Sequence, residues 1–274
     1  KAIAESESIE QAIRYLQEEL KKTGGTRPEL LVGLAELQFK KGDLRSAEGM
    51  INQALDLSPS YSKSWKLRAK IWEEKDVKKS IEYYLSYINR TPSDADAYLS
   101  LYRLYAQELK YDQAFELLDK LYAMYPNYPE LHYRRGELYE KMGNIKNAVT
   151  EYEKELTLHS THVPTLIAVG RIYIRANELP RALERFQKAM ETAPQYSPAR
   201  YELAYTNYLL KNYQGAIALY HTAIQFDPGN PIIYKRLGLA YRAVGDLGKM
   251  KEAFKKYLDL APDAPDREEF EKYL

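Results

Sequence analysis

Few residue groups in this chain have types and spacing that could do chemistry. His159 and His162 stand three apart, as two zinc ligands on one helical face would, but they straddle the gap between two helical stretches with no third ligand beside them. A structural role is the expectation for both. The glycine pair Gly24-Gly25 is followed by no Lys-Ser or Lys-Thr, so it lacks the makings of a phosphate loop and reads as a helix stop. Glu73-Glu74 and Glu268-Glu269 are adjacent in helical segments. Their carboxylates therefore diverge, unlike the opposed pair that cleaves a glycosidic bond, and they read as solvated faces. The chain has no Cys, which removes disulfides, thiolate metal sites and thiol nucleophiles. No constellation of acid, base, nucleophile or metal ligands emerges, so the chain is expected not to be an enzyme and to carry no cofactor and no metal.

Composition narrows the partners. Lys and Arg number 40 against 39 Asp and Glu, a net charge of +1, which leaves no basic excess for a phosphate backbone; nucleic acid is not an expected partner. At 45% hydrophobic and 29% charged residues, the chain is ordinary for a folded protein with a core to bury. No apolar run approaches the roughly 20 residues of a membrane-spanning helix, and the start does not resemble a signal peptide, so no direct membrane insertion is expected. The chain starts on Lys1 within a helical pattern rather than on Met, which reads as a fragment or a processed form. The compartment stays open. Tyr is the unusual choice, with 26 copies against 6 Phe.

The elements behind these residues repeat. Proline stands at Pro59, Pro92, Pro126, Pro194, Pro228 and Pro262, at intervals of 33, 34, 68, 34 and 34 residues, with Ser160 at the midpoint of the double interval. A fixed period of this length marks a solenoid, whose units cannot bury their apolar faces alone and so stack on their neighbours. The units run 28–61, 62–94, 95–128, 129–162, 163–196, 197–230 and 231–264. Within each, apolar and small residues return at three- and four-residue steps over two stretches, which predicts two helices. In 231–264, Tyr234, Leu237, Gly238 and Tyr241 form one stripe. Gly245-Asp246 turns the chain, Met250, Phe254 and Tyr257 form a second stripe, and Pro262 stops it.

Small residues mark where the two helices must approach: Ala35, Ala69, Gly136, Gly170, Ala204 and Gly238 on first helices, Ala47, Ser80, Ala114, Ala148, Ala182 and Ala216 on second ones. Two irregularities are predicted. Unit 62–94 lacks the Gly of its turn and one residue, so a tighter turn is expected. Unit 95–128 has Tyr102 at the small position and Leu109 at the turn, so a local distortion or an altered crossing angle is expected there.

At this density the pattern resembles the tetratricopeptide-repeat family, whose signature is W-x2-L-G-x2-Y, then A-x3-F, then P. In 163–196 it reads Leu166, Val169-Gly170, Tyr173, Ala182, Phe186, Ala189 and Pro194; in 197–230, Leu203-Ala204, Ala216, Tyr220, Ala223 and Pro228. The resemblance covers 28–264. It implies an all-α, right-handed α-solenoid, with residues 1–27 as an N-terminal part-repeat and 265–274 as a C-terminal capping helix. It also implies a concave wall of first helices, with inward positions near 2, 5, 9, 12 and 13 of each unit. In 62–94 these are Lys63, Lys66, Lys70, Glu73 and Glu74, and in 129–162 Glu130, Tyr133, Glu137, Glu140 and Lys141, all charged or mixed. In the last three units they turn apolar, aromatic and basic. The partner-binding candidates are Ile167, Arg171, Ile174, Arg175, Tyr201, Tyr205, Tyr208, Leu239 and Arg242, types enriched at binding hot spots.

Two family subsites do not fit. The two-carboxylate clamp of cochaperone members aligns to Lys66, Lys70, Ser100, Glu130 and Arg134, three of which depart from Lys, Asn, Asn, Lys and Arg. The asparagine ladder of sugar-transferase members meets Gly33, Leu67, Ser100, Arg134, Ala168, Glu202 and Arg236. The functional expectation is a noncatalytic scaffold that receives a peptide or partner helix in its groove. The alternatives are self-association through end helices, where residues 9–20 present an apolar surface, and a domain of a larger bacterial envelope or polysaccharide-secretion protein.

Overall fold

The computed structural model describes residues 2–274, with side chains from Glu7 onward. Among them are sixteen helices and no strand, and they form two compact bodies that divide between Tyr128 and Pro129. The N-terminal body holds α1 (Ala2–Lys22) and three pairs: α2 (Pro28–Lys40) with α3 (Leu44–Leu57), α4 (Ser62–Trp72) with α5 (Val77–Ile88), and α6 (Ala95–Gln107) with α7 (Tyr111–Met124). The C-terminal body holds four pairs: α8 (Leu131–Lys141) with α9 (Ile145–Leu158), α10 (Val163–Arg175) with α11 (Leu179–Thr192), α12 (Ser197–Leu209) with α13 (Tyr213–Phe226), and α14 (Pro231–Ala243) with α15 (Leu247–Leu260). It closes on α16 (Arg267–Glu271). Each body is a helical-repeat solenoid, in which every helix packs against the one before it and the one after it.

Local chemistry sets the helix ends. Asp43, Asp76, Asp94, Asn144, Asn212, Asn230 and Asp246 cap helices by accepting from backbone N–H groups of the first turn, which satisfies donors that have no intrahelical partner. Prolines open α2, α10, α11, α12 and α14 within their first two positions, where the missing N–H costs nothing.

The turn inside six of the seven pairs is the same. One residue takes a left-handed conformation, and the N–H that follows it reaches back five residues: Asp43 to Gln38, Lys110 to Tyr105, Asn144 to Tyr139, Glu178 to Tyr173, Asn212 to Asn207 and Asp246 to Tyr241, at 2.8–3.0 Å. Gly42, Gly143 and Gly245 fill the left-handed position in three pairs, but Leu109, Asn177 and Lys211 fill it in the others. The α4–α5 turn is tighter, as expected, with Asp76 N–H bonding the Trp72 carbonyl only four residues back at 2.9 Å. The distortion expected at Leu109 is absent from the turn, because Leu109 accepts φ = 57° with its side chain in solvent.

The constraint predicted at the small positions is severe. A Cβ on Gly136 would lie 2.4 Å from the Tyr152 ring, on Gly170 2.6 Å from Phe186, and on Gly238 2.4 Å from Phe254. Ala35, Ala69 and Ala204 hold the same place in their pairs and are fully buried. In α6–α7 the sizes are exchanged: Tyr102 stands at the small position, and Leu118 replaces the aromatic or isoleucine of the second helix. Both are buried.

Two outcomes are expected in thermal and urea unfolding. Gly170→Ala destabilises by about 1–3 kcal/mol, because the added methyl meets the face of a ring that has no room to move. Lys211→Gly stabilises by about 1 kcal/mol, because a left-handed residue with a Cβ is strained and glycine there is not.

Candidate partner-binding face

The first helices α10, α12 and α14 are neighbours in sequence order of their pairs, and charged side chains link them one repeat apart. Arg171 of α10 donates through Nε to Glu202 Oε1 of α12 at 2.8 Å and through Nη2 to the Tyr201 hydroxyl at 3.3 Å. The other oxygen of Glu202 accepts from Arg236 Nη1 of α14 at 3.2 Å. One carboxylate, buried to 6% side-chain exposure, thus holds two guanidiniums. Burial works against charge on Arg171, but the facing Glu202 and the Tyr201 hydroxyl outweigh it and raise its ionisation above the ordinary arginine value. Burial, and then Glu202, push the Tyr201 phenol up.

Aromatic rings carry the second guanidinium. Arg236 lies 3.9 Å from the Tyr205 ring centroid and 5.7 Å from that of Tyr201, close enough for a cation–π attraction. The Tyr205 and Tyr208 rings are parallel within 11° at 6.4 Å, and Tyr213 of α13 lies against Tyr208 at 5.5 Å. Beyond this centre, Arg175 pairs with Glu140 at 2.5 Å, and Arg242 donates to the Tyr273 hydroxyl at 2.7 Å.

Of the nine residues expected on this face, seven have surface to offer. Arg171, Arg175 and Arg242 are exposed, and Ile174, Tyr205, Tyr208 and Leu239 are partly buried. Ile167 and Tyr201 are corrected to packing residues, at 4% and 9% exposure. Position 5 turns toward the following pair. Ile167 shares a core with Ala199 and Leu203 of α12, and Tyr201 shares one with Ile233 and Leu237 of α14. Glu202 and Arg236, which tie the face together, were not among the expected residues. Their signal is opposite charge at the same position of consecutive units, 34 residues apart.

The remaining candidate groups take structural places. His159 Nδ1 meets Glu155 at 2.8 Å, whereas His162 Nδ1 meets Thr165 Oγ1 at 2.6 Å; among the described residues no group of three His, Cys, Asp or Glu is placed for a metal ion. Gly24 and Gly25 take left-handed conformations, and Gly25 N–H bonds the Leu20 carbonyl at the end of α1. In the N-terminal body, Lys63, Lys66 and Lys70 border a cavity of about 410 Å³ with Phe39, Tyr87 and Asp94. Asp94 accepts from Lys66 Nζ and from the Tyr87 hydroxyl, each at 2.6 Å. Arg134 is tied to Glu130 and Glu137, which adds to the mismatch at the carboxylate clamp.

Models of the tetratricopeptide repeat match residues 32–97, 104–154, 168–231 and 233–264. The BBSome complex member BBS4 of Bos taurus is 23% identical over 230 residues, which are 84% of this chain and 44% of that protein. Yeast Tom70 superposes with a TM-score of 0.68 at 18% identity, covering 97% of this chain and 58% of Tom70. YrrB, described as a repeat protein with an unusual peptide-binding site, superposes with a TM-score of 0.54 at 20% identity, covering 70% of this chain and 99% of YrrB. The chain spans less than half the length of BBS4. Among the described residues no helix is long and apolar enough to cross a membrane.

Burial raises the Asp94 carboxyl, but its bonds to Lys66, Tyr87 and the Ala97 N–H prevail and hold it below its ordinary value of 3.8. Its contribution is present above that value and is lost as pH falls through the lower value of the folded state. Asp94→Asn keeps a capping oxygen and is expected to cost about 1 kcal/mol at pH 7 through the lost ion pair with Lys66 and the lost charge-assisted bond from Tyr87. Urea unfolding of the two proteins should converge as pH is taken below 3.8.

Proposed function

Because the chain belongs to the tetratricopeptide-repeat family, we propose that it is a noncatalytic protein-interaction scaffold that takes an extended peptide, or a helix of a partner protein, along α10, α12 and α14. The observation that carries this reading is the pre-ordered aromatic and cationic centre. Glu202 fixes Arg171 and Arg236, and Arg236 lies 3.9 Å from the Tyr205 ring centroid. A side chain already held in place loses little entropy when a partner arrives, and Tyr and Arg give large contact area with a polar edge. YrrB, similar in fold, is a peptide binder by its description. A solenoid face serves unrelated partners in different proteins, so the fold supports binding and the side chains must supply the rest.

The test uses a photo-crosslinker at Tyr205 beside one at Lys188 of α11, in extracts of the source organism. One partner protein captured through Tyr205 and not through Lys188 is expected. In the chain without a crosslinker, Tyr205→Glu should leave the helical circular-dichroism signal unchanged and weaken the affinity for the captured partner about tenfold. Capture of the same species at both positions, or of the chain alone, would move the interaction away from this face.

A further inference from the structure

Helix α4 carries three lysines on one stripe, Lys63, Lys66 and Lys70, three and four residues apart. Like charges at this spacing repel along a helix, so the stripe weakens α4 unless acids face it. Only Lys66 is answered, by Asp94 at 2.6 Å. Glu73 stands three residues after Lys70 and could serve it, but one of its oxygens accepts from the Tyr84 hydroxyl at 2.6 Å and the other from Arg103 Nη2 at 2.5 Å. Lys40, on α2, lines the same cavity as the stripe. Lys40, Lys63 and Lys70 are exposed, and none of the three has an acid at ion-pair distance among the described residues.

The cavity these amines border, of about 410 Å³, is lined besides by Glu36, Phe39, Leu67, Tyr87 and Asp94. That volume suits a small molecule. Leu67 and Tyr87 are buried and Phe39 is half-buried, which gives the cavity an apolar side. Its four lysines against Glu36 and Asp94 leave two net positive charges, and no arginine among the described residues lines it. A planar carboxylate is matched by the fork of a guanidinium, whereas lysine is a compact charge with rotatable donors that suits the tetrahedral oxygens of a phosphate. Two unanswered charges beside an apolar wall call for a dianion on an apolar body.

We propose that this cavity binds a small phosphate monoester, its dianion received by Lys63 and Lys70 of α4 and Lys40 of α2, its apolar body laid on Phe39 and Leu67. Asp94 holds both Lys66 and the Tyr87 hydroxyl, which leaves the lysines on either side of Lys66 as the donors for the ligand. Occupancy relieves the repulsion along α4 and so stabilises the chain. The site lies in the N-terminal body, and it stands or falls apart from the interaction face on α10, α12 and α14.

Calorimetric titration of the full chain with phenyl phosphate at about pH 7.5, with the shift in melting temperature as a second reading, tests the proposal. A Kd of about 1 mM or below is expected. Inorganic phosphate, which lacks the apolar body, and benzoate, which lacks the second charge, should each bind at least about tenfold more weakly. The monoester takes up a proton near about pH 6, so its binding should weaken severalfold on going to about pH 5.5; the N-terminal body has no histidine to titrate over that range. Lys63→Gln combined with Lys70→Gln should weaken phenyl phosphate about tenfold without lowering the melting temperature of the free chain, because it removes like charges. Lys40→Gln, on the other helix, should weaken it about threefold. No binding by either reading up to about 10 mM, or an affinity that these variants leave unchanged, overturns the proposal. Inorganic phosphate bound as tightly as phenyl phosphate would leave Phe39 and Leu67 without a part in binding, and benzoate bound as tightly would remove the preference for phosphate; either result overturns it as well.

Discussion

The distance between the two helices of a pair is the constraint on which the rest depends. It is set by one contact, a glycine or alanine backbone against a large side chain of the returning helix: Gly136 with Tyr152, Gly170 with Phe186, Gly238 with Phe254. Because the ring lies directly over the backbone, the first helix cannot slide or roll without a clash, and its outward residues acquire fixed directions. That rigidity lets Glu202 of one pair meet arginines of the pairs on either side at hydrogen-bond distance. The abundance of tyrosine has part of its explanation here. Tyr84, Tyr152 and Tyr220 fill the ring position, and where the first helix ends in Glu73 or Glu140 the phenol oxygen is used as well.

Repeat period, helix pairing and small positions were legible in the sequence, because each is a matter of spacing along one chain. Turn chemistry was legible only in part. Glycine at 42, 143 and 245 announces a left-handed residue, and Asn177 tolerates one, whereas Leu109 and Lys211 adopt the same conformation against their own preference. There the packing of the flanking helices decides, and a strain of order 1–2 kcal/mol is tolerated.

The candidate face was less legible. Tyr201 and Tyr205 are four residues apart and of one type, yet one is buried and the other half-exposed. The difference lies in the next pair, whose Ile233 and Leu237 share a core with Tyr201, and no periodicity within α12 contains that information. Glu202 was hidden for a related reason. A lone carboxylate in a helix looks solvated until its partners, 31 residues before it and 34 after, are brought to it.

The double use of Glu202 bears on how such a chain can change its length over generations. Repeats are gained and lost by recombination between like segments, and pairs that touched only through apolar surface would be exchangeable. Here the α12–α13 pair supplies the acid for bases on both sides. Its excision would join α10 to α14 and face Arg171 with the arginine-bearing helix, like charge against like charge, with no acid between them. Duplication would bury a second glutamate beside the first, leaving each with one arginine in place of two. The C-terminal body is thus locked in its repeat number around this point by ionic bookkeeping, whereas the apolar contacts alone would leave it free to grow or shrink.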